Sequence, residues 1–516
     1  MAVMFGPNPE GTFMGSPTLR RYRKNVGRFK KVPRTSNKFI QRRRFLVDTV
    51  RRLLSRSNLR LSVAAALALS ASLASAQRSP MGNSTPAHPY RNLFQEDGHA
   101  SQEIQAKVQS AYRQLFHGDK ETQALYFPAG ANANGPLGYV TDWANHDVRT
   151  EGMSYGMMLA VQLDHKADFD ALWNWAMTYM YLSDPKIPSA GYFAWSCRTD
   201  GTRNSLGPAP DGEEYFAMAL YFASARWGDG KGLYNYHAQA DNLLRNMLHH
   251  TAPADRAAGR AGIGAEFDEA HHMVRFVPGA NFTDPSYHLP AFYELWARWG
   301  PVEDRAFWQN AARTSRTFFS ASANPGTGLT PAYANFDGTP HQTNFGQSTI
   351  FGFDSWRTAS NWAVDWNWWH ADPAEQILSD RFERFFAAEG ENYPAIYTLS
   401  GTPLRPSDPI PSAADSLKPA RGNAPPAANH DDHSPDYQHA AGLVSTNAVT
   451  ALAATDRTRA RHFVEALWTL PVPAGQFRYY NGMLYLLSLL HCSGEFRIWE
   501  PSWAHAAPSS TNPPHH

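Results

Sequence analysis

Cysteine is nearly absent from this chain. Cys197 and Cys492 are the only two in 516 residues, which excludes a disulfide-rich scaffold and a four-thiolate zinc site. The pair could form one disulfide in an oxidising compartment or stand as two buried thiols. Charge is also scarce, at 18% of residues, and it balances to a net +1. Residues 18–60 are crowded with Arg and Lys. The remainder is therefore acidic, which argues against a nucleic-acid surface on the main body. There is no glycine-rich phosphate loop, no Walker pattern and no internal repeat. The apolar run Leu61–Ala76 is too short and too rich in Ala and Ser for a comfortable membrane span.

That run fits another purpose. It follows Arg56 and Arg60 and ends in Ala74-Ser75-Ala76, a small-x-small cleavage pattern. Residues 1–76 are read as a basic n-region with a secretory signal cut after Ala76, which implies the periplasm or the outside. Residues 77–89 read as a linker, 90–500 as the main folded domain and 501–516 as a tail without periodicity. The stretch 401–437 is rich in Pro, Ala, Asp and His and reads as a mobile insertion.

Aromatic residues are abundant, at 13% with 16 Trp. They fit a large core, a cleft that stacks rings, or both. From Tyr90 onward, apolar residues recur at i, i+3 and i+4. The pattern predicts helices near 101–116, 152–164, 168–182, 212–226, 236–250, 289–300, 304–322, 355–370, 373–388, 440–454, 458–469 and 480–492. No convincing strands lie between them. Twelve helices joined by long loops suggest an all-α fold of six helical hairpins closed in a ring, and long loops in such a fold are usually functional.

Three carboxylates sit where loops run into helices. Glu151 opens the helix of Thr150-Glu151-Gly152-Met153-Ser154-Tyr155. Desolvation against Met and Tyr would raise its pKa, as a general acid requires, whereas the helix dipole alone would lower it. Asp211, after Pro208-Ala209-Pro210, reads as the N-cap of the next helix. Asp354 opens Asp354-Ser355-Trp356-Arg357, and Arg357 shares its face three residues on. That cation would keep Asp354 ionised and able to act as a base; a surface cap with an ion pair is the plainer reading. A protonated acid beside an ionised base is the pairing that glycoside hydrolysis uses. His430, Asp431, Asp432, His433 and His439 lack tight ligand spacing and read as a solvated loop rather than a metal site. Gly152-x-Ser154-x-Gly156 mimics a nucleophile elbow but lacks the strand that must precede one.

Taken together, these segments resemble glycoside hydrolase family 8, and within it the reducing-end xylose-releasing exo-oligoxylanases. The likeness spans about Tyr90 to Trp499. Its anchors include DVRTEGMSYGMM at 147–158, GPAPDGEEYFAMAL at 207–220, DPSYHLPAFYELWARW at 284–299, DSWR at 354–357 and RYYNGMLYLLSLL at 478–490. The resemblance implies an (α/α)6 barrel and an inverting hydrolysis of β-1,4-xylosidic bonds, with no metal or cofactor. It implies Glu151 as general acid and Asp354 as base. Asp211 would hold the sugar in subsite −1, Tyr287 would position the water, Arg357 would buttress Asp354, and Trp195 would offer a stacking platform. A xylo-oligosaccharide is then the expected partner of a monomeric enzyme. Relatives close the far end of the cleft with Leu-His-Pro; here the stretch reads Gln438-His439-Ala440. His439 is kept and its neighbours are changed, so an endo-acting xylanase or β-glucanase stays open beside the exo mode. A non-catalytic carbohydrate-binding protein is the alternative from another class.

Overall fold

Apolar spacing along the chain is realised as helices nearly everywhere it was read. In the computed structural model, residues 90–252, 262–346, 348–405, 408–418 and 440–502 are described. They belong to one of the two units into which the chain divides. The other, Phe5–Met81, lies outside the described residues, as do the expected signal segment, the linker and residues 503–516. Twelve helices of nine residues or more stand among the described residues. They are α1 Ser101–His117, α2 Thr150–Leu163, α3 Lys166–Trp175, α4 Pro210–Trp227, α5 Tyr236–His249 and α6 Pro290–Trp299. The second half of the chain adds α7 Arg305–Ser322, α8 Trp356–Trp369, α9 Ala374–Glu389, α10 Ala441–Val449, α11 Arg457–Thr469 and α12 Arg478–Cys492.

The even-numbered helices form an inner ring and the odd-numbered ones an outer ring. α2 packs on α4, α6 on α8, α8 on α10, α10 on α12, and α12 returns to α2. Between α4 and α6 the ring is tied by Tyr293, whose hydroxyl donates to Glu214, and by Tyr215 set edge-on to Phe292. Each outer helix lies against an inner neighbour: α3 on α2, α5 on α4, α7 on α6, α9 on α8, α11 on α10 and α1 on α12. This is the (α/α)6 barrel. Burial follows from it. Every residue of α2 and of α12 is buried, as a helix walled on all sides must be. Outer α7 instead buries one stripe, including Trp308, Ala311, Ala312, Ser315 and Phe319.

Three details differ from the sequence reading. Four two-stranded ribbons do exist, at Tyr126–Asn132 with Gly135–Val140, Asp147–Arg149 with Ser196–Arg198, Phe267–Asp268 with Met273–Val274, and Phe282–Thr283 with Ala334–Asn335. Three of them have strands of two or three residues, too short to show alternation. The helix read to 182 loses its α form after Trp175 and widens into a π turn over Ala176–Met180. The stretch read as a mobile insertion also begins as fastened structure. Ser416 Oγ donates to the Thr349 carbonyl (2.7 Å), and Thr349 Oγ1 to the Pro411 carbonyl (2.6 Å). Residues 419–439 lie outside the described residues, and with them Gln438, His439 and the His/Asp cluster. Cys197 and Cys492 are both buried and unpaired. No helix among the described residues is long and apolar enough to cross a membrane.

Candidate active site

The inner helices bring their first turns to one end of the barrel. Glu151 lies in the first turn of α2, Asp211 in that of α4, Arg357 in that of α8 and Tyr479 in that of α12. Asp354 sits in the 3₁₀ turn Phe353–Ser355 that feeds α8, and Ser286 and Tyr287 in the turn Pro285–Tyr287 ahead of α6. Two glycines allow the approach. A Cβ on Gly212 would collide with the Thr150 side chain and stand 3.0 Å from its carbonyl carbon, so α4 can lie hard against the start of α2 only without one. A Cβ on Gly152 would stand 2.6 Å from the Tyr479 hydroxyl, so the residue after Glu151 must be bare for α12 to reach it. The ribbon Asp147–Arg149 then anchors Trp195, whose carbonyl accepts from Thr150 N (2.9 Å).

Arg357 is the hub. Its Nη1 donates to Glu151 Oε1 (3.0 Å), Asp211 Oδ2 (2.9 Å) and the Tyr155 hydroxyl (2.6 Å). Its Nη2 donates to Ser286 Oγ (2.9 Å) and more weakly to Asp354 Oδ1 (3.5 Å). An Nη carries two protons, so the three acceptors at Nη1 must share them. One guanidinium bonds Glu151 through Nη1 and Asp354 through Nη2, which keeps their nearest oxygens within roughly 9 Å of each other, inside the upper limit for an inverting pair. One positive charge also faces three carboxyls. Burial pushes Glu151 up to about 7 against the pull of Arg357, with Asp211 and then Asp354 adding to the push. Asp211 is raised as well, chiefly by burial and against Arg357. The side chain of Asp354 is 23% exposed against 8% for Glu151, so Asp354 is the one that meets water. The arrangement can keep one carboxyl protonated near neutrality while a more open one accepts a proton.

Tyr287 is buried, with its ring 5.8 Å from the Arg357 guanidinium and Phe276 stacked at 6.0 Å. Trp195 is half-buried, with Arg149 over its ring at 5.8 Å. Glu151, Asp211, Asp354, Arg357, Tyr287 and Trp195 thus come together around one end of the barrel; His439 is outside the described residues. Two details are corrected. Asp211 is not the helix cap: Ala209 holds that position and Pro210 starts the helix, which frees the Asp211 carboxylate for Arg357. A strand, Asp147–Arg149, does precede Ser154, but no elbow follows, because Ser154 is buried inside α2 and its Oγ donates to the Glu151 carbonyl (3.0 Å). Reading the residues missed Tyr479, whose hydroxyl donates to Glu151 Oε2 (3.0 Å), along with Tyr155 and Ser286. It also missed Phe353, held at φ +46° just before Asp354 with its carbonyl accepting from the Tyr480 hydroxyl. An aromatic residue in the left-handed region is strained by roughly 1–3 kcal/mol. Among the described residues no group of three or more His, Cys, Asp or Glu is arranged to hold a metal ion.

Comparison with known proteins decides the family. The model of glycosyl hydrolases family 8 matches residues 132–409. The chain belongs to glycoside hydrolase family 8. This family 8 hydrolase is 41% identical to a reducing-end xylose-releasing exo-oligoxylanase of Paenibacillus barcinonensis, over 80% of its own length and 97% of that protein. It is 43% identical to the enzyme of the same description from Halalkalibacterium halodurans, over 80% and 95%. A solved family 8 xylobiose complex from Teredinibacter turnerae superposes with a TM-score of 0.71 at 47% identity, covering 80% of this chain and 98% of that one.

Proposed function

We propose that this hydrolase cleaves β-1,4-xylosidic bonds with inversion and releases single xylose units from the reducing ends of xylo-oligosaccharides. Glu151 protonates the leaving oxygen while Asp354 takes a proton from the attacking water. Asp211 holds the sugar at subsite −1 and Tyr287 positions the water. Arg357 orients the carboxyls and Trp195 stacks on a ring of the chain. The observation that carries this reading is the single Arg357 guanidinium shared by three carboxyls, which sets the buried Glu151 beside the more solvent-facing Asp354. The substrate and mode are supported by exo-oligoxylanases among the relatives and by His439, kept where relatives wall off the cleft. Export to the periplasm or beyond is part of the same reading, supported by the run that ends in Ala74-Ser75-Ala76. An endo mode is the second reading, because a Teredinibacter turnerae structure at 46% identity is described as a xylanase with xylohexaose bound.

Xylotetraose and its alditol separate the two modes. Stepwise xylose from the first, with strong loss on the second, is the exo outcome, because a site that hydrogen-bonds the free end rejects an altered one. Xylobiose as the main early product, or equal rates on both, means an endo enzyme. Glu151→Gln and Asp354→Asn should each lower kcat by about 10² to 10⁴; either variant near wild-type turnover loses its assigned role.

A further inference from the structure

Each inverting turnover leaves the acid short of one proton. The base has taken a proton from water, the acid has given one to the leaving oxygen, and the acid must be reloaded before the next cleavage. Oε1 of Glu151 offers no route, since it faces Arg357 Nη1 and a guanidinium does not release its protons in proteins. Oε2 accepts from the Tyr479 hydroxyl at 3.0 Å. Tyr479 in turn lines a cavity of about 230 Å³ together with Asp142, Asn145 and Tyr480. That cavity shares Gln476, Phe477 and Asn481 with a groove of about 1180 Å³ between the α10 start and the 470–477 loop. Phe477, at their junction, is 41% exposed, so water reaches the lip.

We propose that the Tyr479 hydroxyl is a proton relay that reloads Glu151 from water in this cavity. The inference rests on Glu151 being the general acid. In the step, the Tyr479 O–H bond breaks and its proton forms an O–H bond on Glu151 Oε2. The phenolic oxygen takes a proton from a cavity water as it gives up its own. That water is reprotonated by a buffer acid, and the proton that Asp354 collected returns to solvent. No electrons change hands, and one proton enters for each one that leaves. Gly152 belongs to the device, because any larger residue there would push the hydroxyl away from Oε2.

The relay acts after the glycosidic bond is broken, so it bears on kcat and not on kcat/KM. Tyr479→Phe keeps the ring that packs on Gly152 and removes only the hydroxyl. It should lower kcat by about tenfold or more, leave kcat/KM within about twofold, and regain kcat as imidazole buffer is added. Equal falls in kcat and kcat/KM without buffer rescue would make Tyr479 a residue of the cleavage step and overturn the relay. Wild-type kinetics would overturn it too. If the variant fails to fold, wild-type kcat in mixtures of light and heavy water gives the answer. A bowed dependence in kcat that is absent from kcat/KM shows the relay, because the two protons of cleavage appear in both; the same dependence in both removes it. Glu151→Gln, measured alongside, separates the failures: full turnover in that variant defeats the acid assignment itself, while inactivity there with an unaffected Tyr479→Phe defeats the relay alone.

Discussion

Around Arg357 a single positive charge is divided among Glu151, Asp211 and Asp354, which compete for its donors. Glu151 acts in its protonated form. Burial, opposed by Arg357 and aided by Asp211 and Asp354, sets it near 7, so kcat/KM should hold below that pH and fall as pH rises through it. Asp211→Asn deletes one neighbouring negative charge. The charged form of Glu151 becomes easier to reach, and the alkaline limb of kcat/KM should move to lower pH by about half a unit or more. The position of the limb is the readout, since the height also falls if Asp211 holds the sugar. A limb that stays put or moves up in this variant means that Asp211 does not press on Glu151. Residue types at this scale were legible where the partner is local. Arg357 follows Asp354 by three residues and could be paired with it by helix geometry. Tyr479 lies 328 residues from Glu151, and no spacing rule reaches that far. Asp211 was misread as a cap because Pro210 takes the first helical position one residue earlier.

Between elements, the spacing of α2 and α4 decides whether the hub can form at all. Gly212 lies against Thr150 with no space for a methyl group. Gly212→Ala must therefore push α4 off the start of α2, and Asp211 and Glu151 with it, away from their shared Nη1. Overpacking of this kind destabilises by about 1–3 kcal/mol, and the expected result is a lower Tm with a loss of turnover out of proportion to it. Gly264, with nothing within 4 Å of a built Cβ, is the control; Gly264→Ala should leave both unchanged. If Gly212→Ala matches the control, the two helix starts are not in tight register. The helices themselves could be read from apolar spacing alone, because each runs nine residues or more and both rings bury aliphatic and aromatic side chains. The ribbons could not, since a pair such as Phe282–Thr283 with Ala334–Asn335 shows no period in two residues. Nor could the alternation of inner and outer helices be read, because an inner helix buried on every side loses the one-sided stripe that marks its neighbours.

On the scale of the whole barrel, the interior carries more acid than the chemistry uses. Glu213, Glu214 and Glu266 are fully buried. Glu213 accepts from the Phe193 amide (3.0 Å) and Glu214 from Tyr293, the bond that closes the ring between α4 and α6. Burial lifts all three well above the ordinary carboxyl range; Glu213, Glu214 and Asp211 lift Glu266 further, in that order. The folded protein thus holds these protons more tightly than the unfolded chain does. Their contribution to stability is complete below the unfolded value of about 4.5 and declines as pH rises towards the folded one. In that window each such group lowers stability by about 1.4 kcal/mol per pH unit. The barrel should therefore lose stability steadily from mildly acidic to alkaline pH, on top of any loss of activity set by Glu151. Glu266→Gln tests this without touching the cleft, because the amide is nearly isosteric with the protonated acid and cannot ionise. Plotted as unfolding free energy from denaturant titrations between about pH 5 and 9, the variant should show a shallower slope than wild type, and so gain on wild type as pH rises. Parallel slopes would mean that Glu266 binds its proton no more tightly in the folded barrel than in the open chain.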